Sequence, residues 1–169
     1  SLPAKRVGGD YYDFCELSGG RVGLTVADVS GKGVPAAFLT TLTRAYLRSE
    51  ARREDEPIGE MLSRINREIH NDVTDQMYVA AVFGILDPKA ATFNFVNAGH
   101  AFPIVITPGK REIQHLESGG TFLGIFEDVE YEEDTIDLRP GEVLILFTDG
   151  VTDIQNPDGE LWGRERFEE

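Results

Sequence analysis

Two apolar segments, far apart along the chain, each end in an aspartate with glycine close behind, and this pattern constrains the fold most strongly. Residues 22–28 read Val-Gly-Leu-Thr-Val-Ala-Asp, and residues 143–149 read Val-Leu-Ile-Leu-Phe-Thr-Asp. Apolar runs of this kind, bounded by turn signals, are typical of buried β-strands. Because a buried carboxylate needs a partner or a metal, we expect Asp28 and Asp149 to face outward from the end of a sheet.

A third acidic cluster lies near the start of the chain, where Gly8-Gly9 precedes Asp10. The paired glycines permit positive φ angles and a close approach of the backbone to an ion. If Asp10 converges with Asp28 and Asp149, the three carboxylates form an all-oxygen pocket of the kind that Mg²⁺ and Mn²⁺ prefer. The sequence therefore predicts a divalent-metal site, and metal-assisted hydrolysis is its most direct use.

Each cluster also has a simpler interpretation. Gly8-Gly9-Asp10 is compatible with an ordinary turn, or with the Gly-Gly-Asp signature of nucleotidyl cyclases, although the Tyr-Tyr-Asp-Phe that follows is typical of a strand. Asp28 is compatible with a capping role at a turn. Gly31-Lys32-Gly33 leads toward a helix but lacks the spacer and the Lys-Ser/Thr pair of a P-loop. His100, after Asn97-Ala98-Gly99, fits a hydrogen-bonded turn residue, with a catalytic role as the alternative.

The composition restricts the class of protein. The 169 residues are enough for one domain with a hydrophobic core. The formal net charge is −14, from 16 basic and 30 acidic residues, and it argues against a nucleic-acid partner. No apolar run approaches the roughly 20 residues needed to cross a bilayer, so we expect no membrane segment in this chain. The single cysteine, Cys15, cannot form an internal disulfide, and a cytoplasmic location is the expectation.

Apolar periodicity predicts two helices and four β-hairpins. The helices begin after Gly33 and after Pro57, and each carries its apolar residues on one stripe, so both are expected to lie on a sheet. The predicted hairpins join residues 11–17 with 22–29, 78–86 with 92–97, 103–107 with 112–116, and 135–138 with 142–147. Hairpins combined with one adjacent helix pair indicate an α+β fold in which helices cover sheet faces.

Together, these motifs resemble those of the SpoIIE-like (stage II sporulation protein E) bacterial branch of the metal-dependent type 2C, or PPM, serine/threonine phosphatases. They appear in the family's order and span nearly the whole chain. The motifs are Val7-Gly8-Gly9-Asp10-Tyr11-Tyr12-Asp13, Ala27-Asp28-Val29-Ser30-Gly31-Lys32-Gly33, Asn97-Ala98-Gly99-His100 with Pro103, Leu123-Gly124, Thr148-Asp149-Gly150-Val151-Thr152-Asp153 and Gly163-Arg164-Glu165-Arg166-Phe167.

The resemblance implies an αββα sandwich, in which two antiparallel sheets pack face to face between helices and a two-metal centre lies at one end. The implied cofactors are two ions of Mn²⁺ or Mg²⁺, which act through a metal-bound water. The implied metal ligands are Asp10, Asp28, Asp149 and the backbone carbonyl of Val29. The motif positions for which the resemblance implies supporting roles are Asp13, Gly31, Gly150 and Asp153.

The sequence departs from the family pattern in two respects. The family continues into an Asp-Asp-x-Thr strand that completes the metal set, and its first strand region is longer. We therefore expect residues 1–169 to be a single phosphatase domain that is truncated at both ends. In addition, eukaryotic relatives place a histidine after the second aspartate as a proposed acid, whereas this chain reads Val29-Ser30-Gly31. The proton donor to the leaving group is therefore unassigned.

The resemblance also implies a substrate and partners. The expected substrate is phosphoserine or phosphothreonine on a STAS-type anti-sigma-factor antagonist in a partner-switching pathway, with control by an upstream sensor domain or an activator protein. The alternative is a catalytically inactive, phosphatase-shaped module that sequesters its partner. The missing fourth aspartate favours that alternative, whereas the three retained aspartates oppose it.

Overall fold

The computed structural model describes residues 9–53, 56–73, 77–109 and 112–168. Its strands are β1 (Asp10–Glu16), β2 (Val22–Val29), β3 (Val79–Asp87), β4 (Thr92–Ala98), β5 (Ile104–Thr107), β6 (Glu112–His115), β7 (Asp134–Asp137) and β8 (Val143–Ile145). Its helices are α1 (Val34–Ala51), α2 (Ile58–Asp72) and the short α3 (Gly163–Glu168). The motif residues Val7 and Gly8 lie outside the described residues.

The strands form two antiparallel sheets. The larger sheet has the order β1-β2-β3-β4-β7, and the smaller sheet has the order β6-β5-β8. The pairings β1 with β2, β3 with β4 and β5 with β6 confirm three of the predicted hairpins. Both long helices are also where the sequence predicts them. The α+β class and the two-sheet architecture expected from the sequence are therefore confirmed.

The fourth predicted hairpin, residues 135–138 with 142–147, is wrong. β7 pairs with β4 in the larger sheet, whereas β8 pairs with β5 in the smaller sheet. The turn between them is tight, since the Glu142 N–H donates to the Arg139 carbonyl over 3.0 Å. It carries the chain from one sheet to the other. Ile136 and Leu144, on either side of this turn, pack in the core between the sheets.

The two long helices cover one face of the larger sheet. α1 contributes Leu39 and Leu47 to a buried cluster, and α2 contributes Leu62, Ile65 and Ile69. The sheet side of this cluster consists of Ala27, Val29, Val79, Ala81, Phe83, Val96 and Ala98. Their alternating positions place them on the same face of β2, β3 and β4. The apolar stripes of α1 and α2 thus pack against this face of the sheet, as the sequence predicts.

A second core lies between the two sheets. Phe93 and Phe95 of β4 are fully buried there, with ring centroids 5.4 Å apart, and Val105 of β5 belongs to the same cluster. This core is centred on β4 and does not extend to the edge strand β1, where Tyr12 and Phe14 are exposed. Among the residues that the structure describes, the core between the sheets therefore ends before β1, the strand that begins with Asp10.

Within the described residues, no helix combines the length and the apolar character that crossing a membrane requires.

Replacing Phe95 by alanine is expected to lower the free energy of unfolding by about 3–5 kcal/mol, because it removes a fully buried ring and leaves a cavity between the sheets. Phe126→Ala is the matched control, since its side chain is 61% exposed, and we expect it to change stability by no more than about 0.5 kcal/mol. Urea unfolding followed by circular dichroism measures both. Equal effects of the two substitutions would contradict the location of this core.

Candidate metal centre

The first two carboxylates of the site meet across the β1–β2 ladder. Asp10 lies directly opposite Asp28, in a register that continues to Glu16 opposite Val22. Side chains of directly opposed residues share one face of a sheet and lie close together. Both carboxylates therefore project from the same end of the larger sheet, on the face that carries Tyr12 and Leu24, which is the side of the smaller sheet.

Gly9 allows the backbones to approach closely at this end of the ladder. The Val29 N–H donates to the Gly9 carbonyl over 3.2 Å. A Cβ atom built at Gly9 would lie 2.4 Å from the Val29 carbonyl oxygen and 3.0 Å from an Asp28 carboxylate oxygen. Since no side chain fits there, only glycine keeps the Val29 carbonyl and the Asp28 carboxylate in these positions. The structure thus places the predicted backbone ligand beside its neighbouring carboxylate.

The turn after Asp28 is fixed to the neighbouring strand. The Ser30 N–H donates to the Tyr78 carbonyl over 2.9 Å, and the Tyr78 N–H donates to the Ser30 hydroxyl oxygen over 2.8 Å. Gly31 follows with φ +95°, a left-handed conformation that glycine adopts without strain. The supporting role predicted for Gly31 corresponds to this turn, which leads to the start of α1. No role for Ser30 or Tyr78 was predicted from the sequence.

The third carboxylate reaches the site from a loop after β8. The Thr148 hydroxyl donates to an Asp10 carboxylate oxygen over 3.3 Å, which ties this loop to β1. Gly150 lies against the same carboxylate, since a Cβ built there would lie 3.3 Å from that Asp10 oxygen. The loop is closed by the Asp153 N–H, which donates to the Asp149 carbonyl over 2.8 Å. Asp153 therefore supports the loop through its backbone.

Asp10, Asp28 and Asp149 converge as the sequence predicts. One carboxylate oxygen from each lies within 4.8 Å of the corresponding oxygens of the other two. The donor set consists of carboxylates, with the Val29 carbonyl close by, and such hard oxygen ligands suit Mg²⁺ or Mn²⁺. These residues fit the metal site that the sequence predicts.

The pKa of Asp28 is raised in this arrangement. Burial, followed by the negative charges of Asp10 and Asp149, raises the pKa of Asp28 to about 6. A bound cation would act in the opposite direction by favouring the ionised carboxylate. The protein therefore holds together three groups that repel one another in the absence of positive charge.

Asp13 does not join this cluster. It is three residues after Asp10 on the same strand, so its side chain points to the opposite face of the sheet. There it accepts hydrogen bonds from Arg48 over 2.5 and 2.7 Å and from Arg44 over 3.2 Å. The Arg48 hydrogen bond holds the pKa of Asp13 below its usual value. Any support that Asp13 gives to the site is indirect, through the attachment of α1 to β1.

A cleft of about 260 Å³ opens beside the cluster. Asp28 and Asp149 line it together with Tyr78, His100 and Phe122. The sequence identified the motif that contains His100 but did not predict that its side chain reaches the cleft. The hydrogen-bonded turn expected at this position is confirmed, since the His100 N–H donates to the Asn97 side-chain oxygen over 2.7 Å.

Comparison with known proteins identifies similar chains. The family model for stage II sporulation protein E (SpoIIE) matches residues 18–169. The phosphoserine phosphatase RsbU of Bacillus subtilis is 29% identical over 161 residues, which cover 95% of this chain and 48% of RsbU. The chain thus spans about half the length of that relative.

Two solved structures share the fold. The SiaA-PP2C domain of Pseudomonas aeruginosa matches with a TM-score of 0.82 and 26% identity, covering 98% of this chain and 66% of that one. The RsbU and RsbW domains of Rv1364c from Mycobacterium tuberculosis match with a TM-score of 0.77 and 27% identity, covering 91% of this chain and 42% of that one. Both matches agree with the two-sheet architecture described above.

Asp28→Asn is expected to stabilise the metal-free protein near neutral pH. Between 3.8, the ordinary pKa of aspartate, and about 6, the unfolded chain releases the Asp28 proton while the folded protein retains it. The wild-type folded state therefore loses stability as the pH rises through this window and stays less stable above it. Because solvent partly screens the carboxylate, we expect a gain of about 1 kcal/mol for the variant.

Urea unfolding in the presence of a chelator, across this pH range, measures the effect. The advantage of the variant should disappear below pH 3.8, where the carboxylate is protonated in both states. Asp158→Asn, which removes an exposed charge on a turn outside the cluster, is the control. A metal-free Asp28→Asn protein that is less stable than the wild type near neutral pH would contradict this account of the cluster.

Proposed function

The chain belongs to the stage II sporulation protein E family, and from this membership we propose that it is a metal-dependent protein serine/threonine phosphatase. In this proposal residues 1–169 act as one phosphatase domain, and the reaction is hydrolysis of a phosphoric monoester. The observation that carries the proposal is the approach of the Asp10, Asp28 and Asp149 carboxylates to within 4.8 Å of one another.

The chemistry of the site supports hydrolysis. Mn²⁺ or Mg²⁺ bound there, with two ions expected, would supply Lewis-acid activation of water and would neutralise charge on the phosphoryl group. Asp10, Asp28 and Asp149 would hold the cations, with the Val29 carbonyl as a further oxygen. Gly9, Ser30 and Thr148 would keep these oxygens in place through the contacts described above. The adjacent cleft, with Tyr78 and Phe122 in its wall, would receive the phosphorylated side chain.

The proposed substrate is a phosphoserine or phosphothreonine on a STAS-type anti-sigma-factor antagonist, within a partner-switching pathway. The support is similarity: one relative is named phosphoserine phosphatase RsbU, and a matching structure joins an RsbU domain to an RsbW domain. The proposal also includes control by an upstream sensor domain or an activator protein, and a cytoplasmic location. The net charge of −14 supports the expectation that nucleic acid is not a partner.

A catalytically inactive module that sequesters its partner is the alternative function. The convergence of the three aspartates opposes it, because a binding module has no need to hold mutually repelling carboxylates together. Burial raises the pKa of Asp28, and the charges of Asp10 and Asp149 raise it further. The two functions differ in a single measurement, the release of phosphate from a bound phosphoprotein.

Asp28→Asn and Asp149→Asn in the full-length protein are each expected to reduce Mn²⁺-dependent phosphate release by at least about 100-fold, since each removes a charged oxygen ligand. Hydrolysis of an aryl phosphate, with and without Mn²⁺, provides the measurement. Asp158→Asn removes an exposed carboxylate on a turn that is not part of the cluster, and it is expected to retain wild-type activity.

Retention of turnover by either ligand variant would count against the proposed metal site. A wild-type protein that binds Mn²⁺ and its phosphorylated partner but releases no phosphate would instead support the inactive module.

The substrate class has its own test. The full-length protein should release phosphate from a phosphoserine-containing STAS-type antagonist faster than from a short phosphoserine peptide of the same local sequence, because the folded partner offers additional binding energy. The kcat/KM ratio for the two substrates is the measurement. Equal kcat/KM values for the antagonist and the peptide would show that the enzyme recognises only the phosphorylated residue and its local sequence. That result would contradict the proposed substrate class.

A further inference from the structure

His100 occupies a special position in the cleft beside the three aspartates. It lines the cleft together with Asp28 and Asp149, and none of the other described lining residues is a lysine, arginine or histidine. It is also outside the group of ligand atoms that approach one another within 4.8 Å. The imidazole is therefore a neighbour of the carboxylate cluster that faces the same space.

The backbone of His100 is held firmly. The buried Asn97 accepts a hydrogen bond from the His100 N–H over 2.7 Å, and its amide nitrogen donates to the His100 carbonyl over 3.1 Å. Gly99 has φ +74°, and a Cβ built on it would lie 2.6 Å from the Phe122 ring. Glycine is therefore required immediately before the histidine, by both the conformation and the lack of space. These contacts fix the position of the His100 backbone beside the cleft.

The ring nitrogens of His100 are distinguished by their contacts. Nδ1 lies 3.3 Å from the Ala101 carbonyl oxygen. Because a carbonyl only accepts hydrogen bonds, Nδ1 carries the proton of this contact. Nε2 has no hydrogen-bond partner among the described residues, so Nε2 is the nitrogen that is free to gain and lose a proton.

We propose that His100 is a catalytic residue that donates the proton from Nε2 to the leaving seryl or threonyl oxygen. This role rests on the proposed phosphatase function. In-line displacement places the attacking water and the leaving oxygen on opposite sides of phosphorus. The aspartate cluster defines the side of the attacking water. The proposal places His100, which lies in the same cleft but outside the cluster, on the side of the leaving oxygen.

Hydrolysis in this role exchanges one phosphorus–oxygen bond for another. A water oxygen forms a bond to phosphorus while the bond between phosphorus and the side-chain oxygen breaks. The electron pair of the broken bond stays on that oxygen, which takes the Nε2 proton of His100. The attacking water loses a proton to solvent, and solvent returns a proton to Nε2. No oxidant or further reactant is needed.

Burial and neighbouring charge act on the imidazole in opposite directions. Burial lowers the pKa of His100, whereas the negative charges of Asp149 and Asp10 act in the opposite direction. The Asp28 carboxylate and the Tyr78 phenol also line the cleft. A phosphoryl dianion that enters the cleft adds negative charge and favours the protonated imidazole.

The test compares leaving groups in the full-length protein. A seryl alkoxide leaves only with a proton, whereas 4-nitrophenolate leaves without one. His100→Gln should therefore lower kcat for a phosphoserine peptide by about 100-fold or more, while kcat for 4-nitrophenyl phosphate stays within a few-fold of wild type. The basic limb of the phosphoserine pH profile should also disappear. Mn²⁺ affinity, measured by calorimetry, should be unchanged.

His115→Gln is the matched control, because His115 lies on β6 and contacts Arg164 of α3 instead of the cleft. His100→Asn is the second variant, to be used if the glutamine does not fold. An equal loss on both substrates, or no loss on phosphoserine, would overturn the role of His100. A wild-type protein that hydrolyses neither substrate would overturn the phosphatase function itself, and with it this role.

Discussion

The structure depends on a ladder that holds like charges opposite one another. In the β1–β2 register Asp10 faces Asp28, and the loop after β8 adds Asp149 to the same end. Directly opposed like charges destabilise a sheet, and burial, together with the charges of Asp10 and Asp149, raises the pKa of Asp28 to about 6. The favourable free energy must come from elsewhere, and the two apolar cores on either side of β3 and β4 are the obvious source.

Because side chains alternate along a strand, β1 places Asp10 and Asp13 on opposite faces of the sheet. The face that carries Asp10 holds negative charge without a described basic partner, whereas the opposite face pairs Asp13 with Arg44 and Arg48 of α1. Helix α1 therefore attaches to β1 through the face that carries Asp13. The Asp10 carboxylate, on the other face, remains available to bind a cation. A slip of one residue in the register would exchange these faces and would destroy both arrangements.

Much of this organisation could be predicted from the sequence, because apolar periodicity and strand ends are local signals. They located both long helices, three hairpins and the three converging aspartates. The pairing of β7 and β8 with different sheets could not be read in this way, since a tight turn such as Arg139-Pro140-Gly141 looks the same within a sheet and between sheets. The position of Asp13 was predictable from its odd spacing from Asp10, whereas the reach of His100 into the cleft required the packing of Gly99 against Phe122.

The contributors to the acidic cluster stand at positions 10, 28 and 149, so no short stretch of this polypeptide contains the site. An ion that recognises all three recognises only the assembled sandwich, and mass action then shifts the folding equilibrium toward that state. If the proposed metal site binds a divalent cation, removal of the cation would therefore lower the stability of the folded protein. Without a cation, the fold would be weakened where the carboxylates of Asp10, Asp28 and Asp149 repel one another.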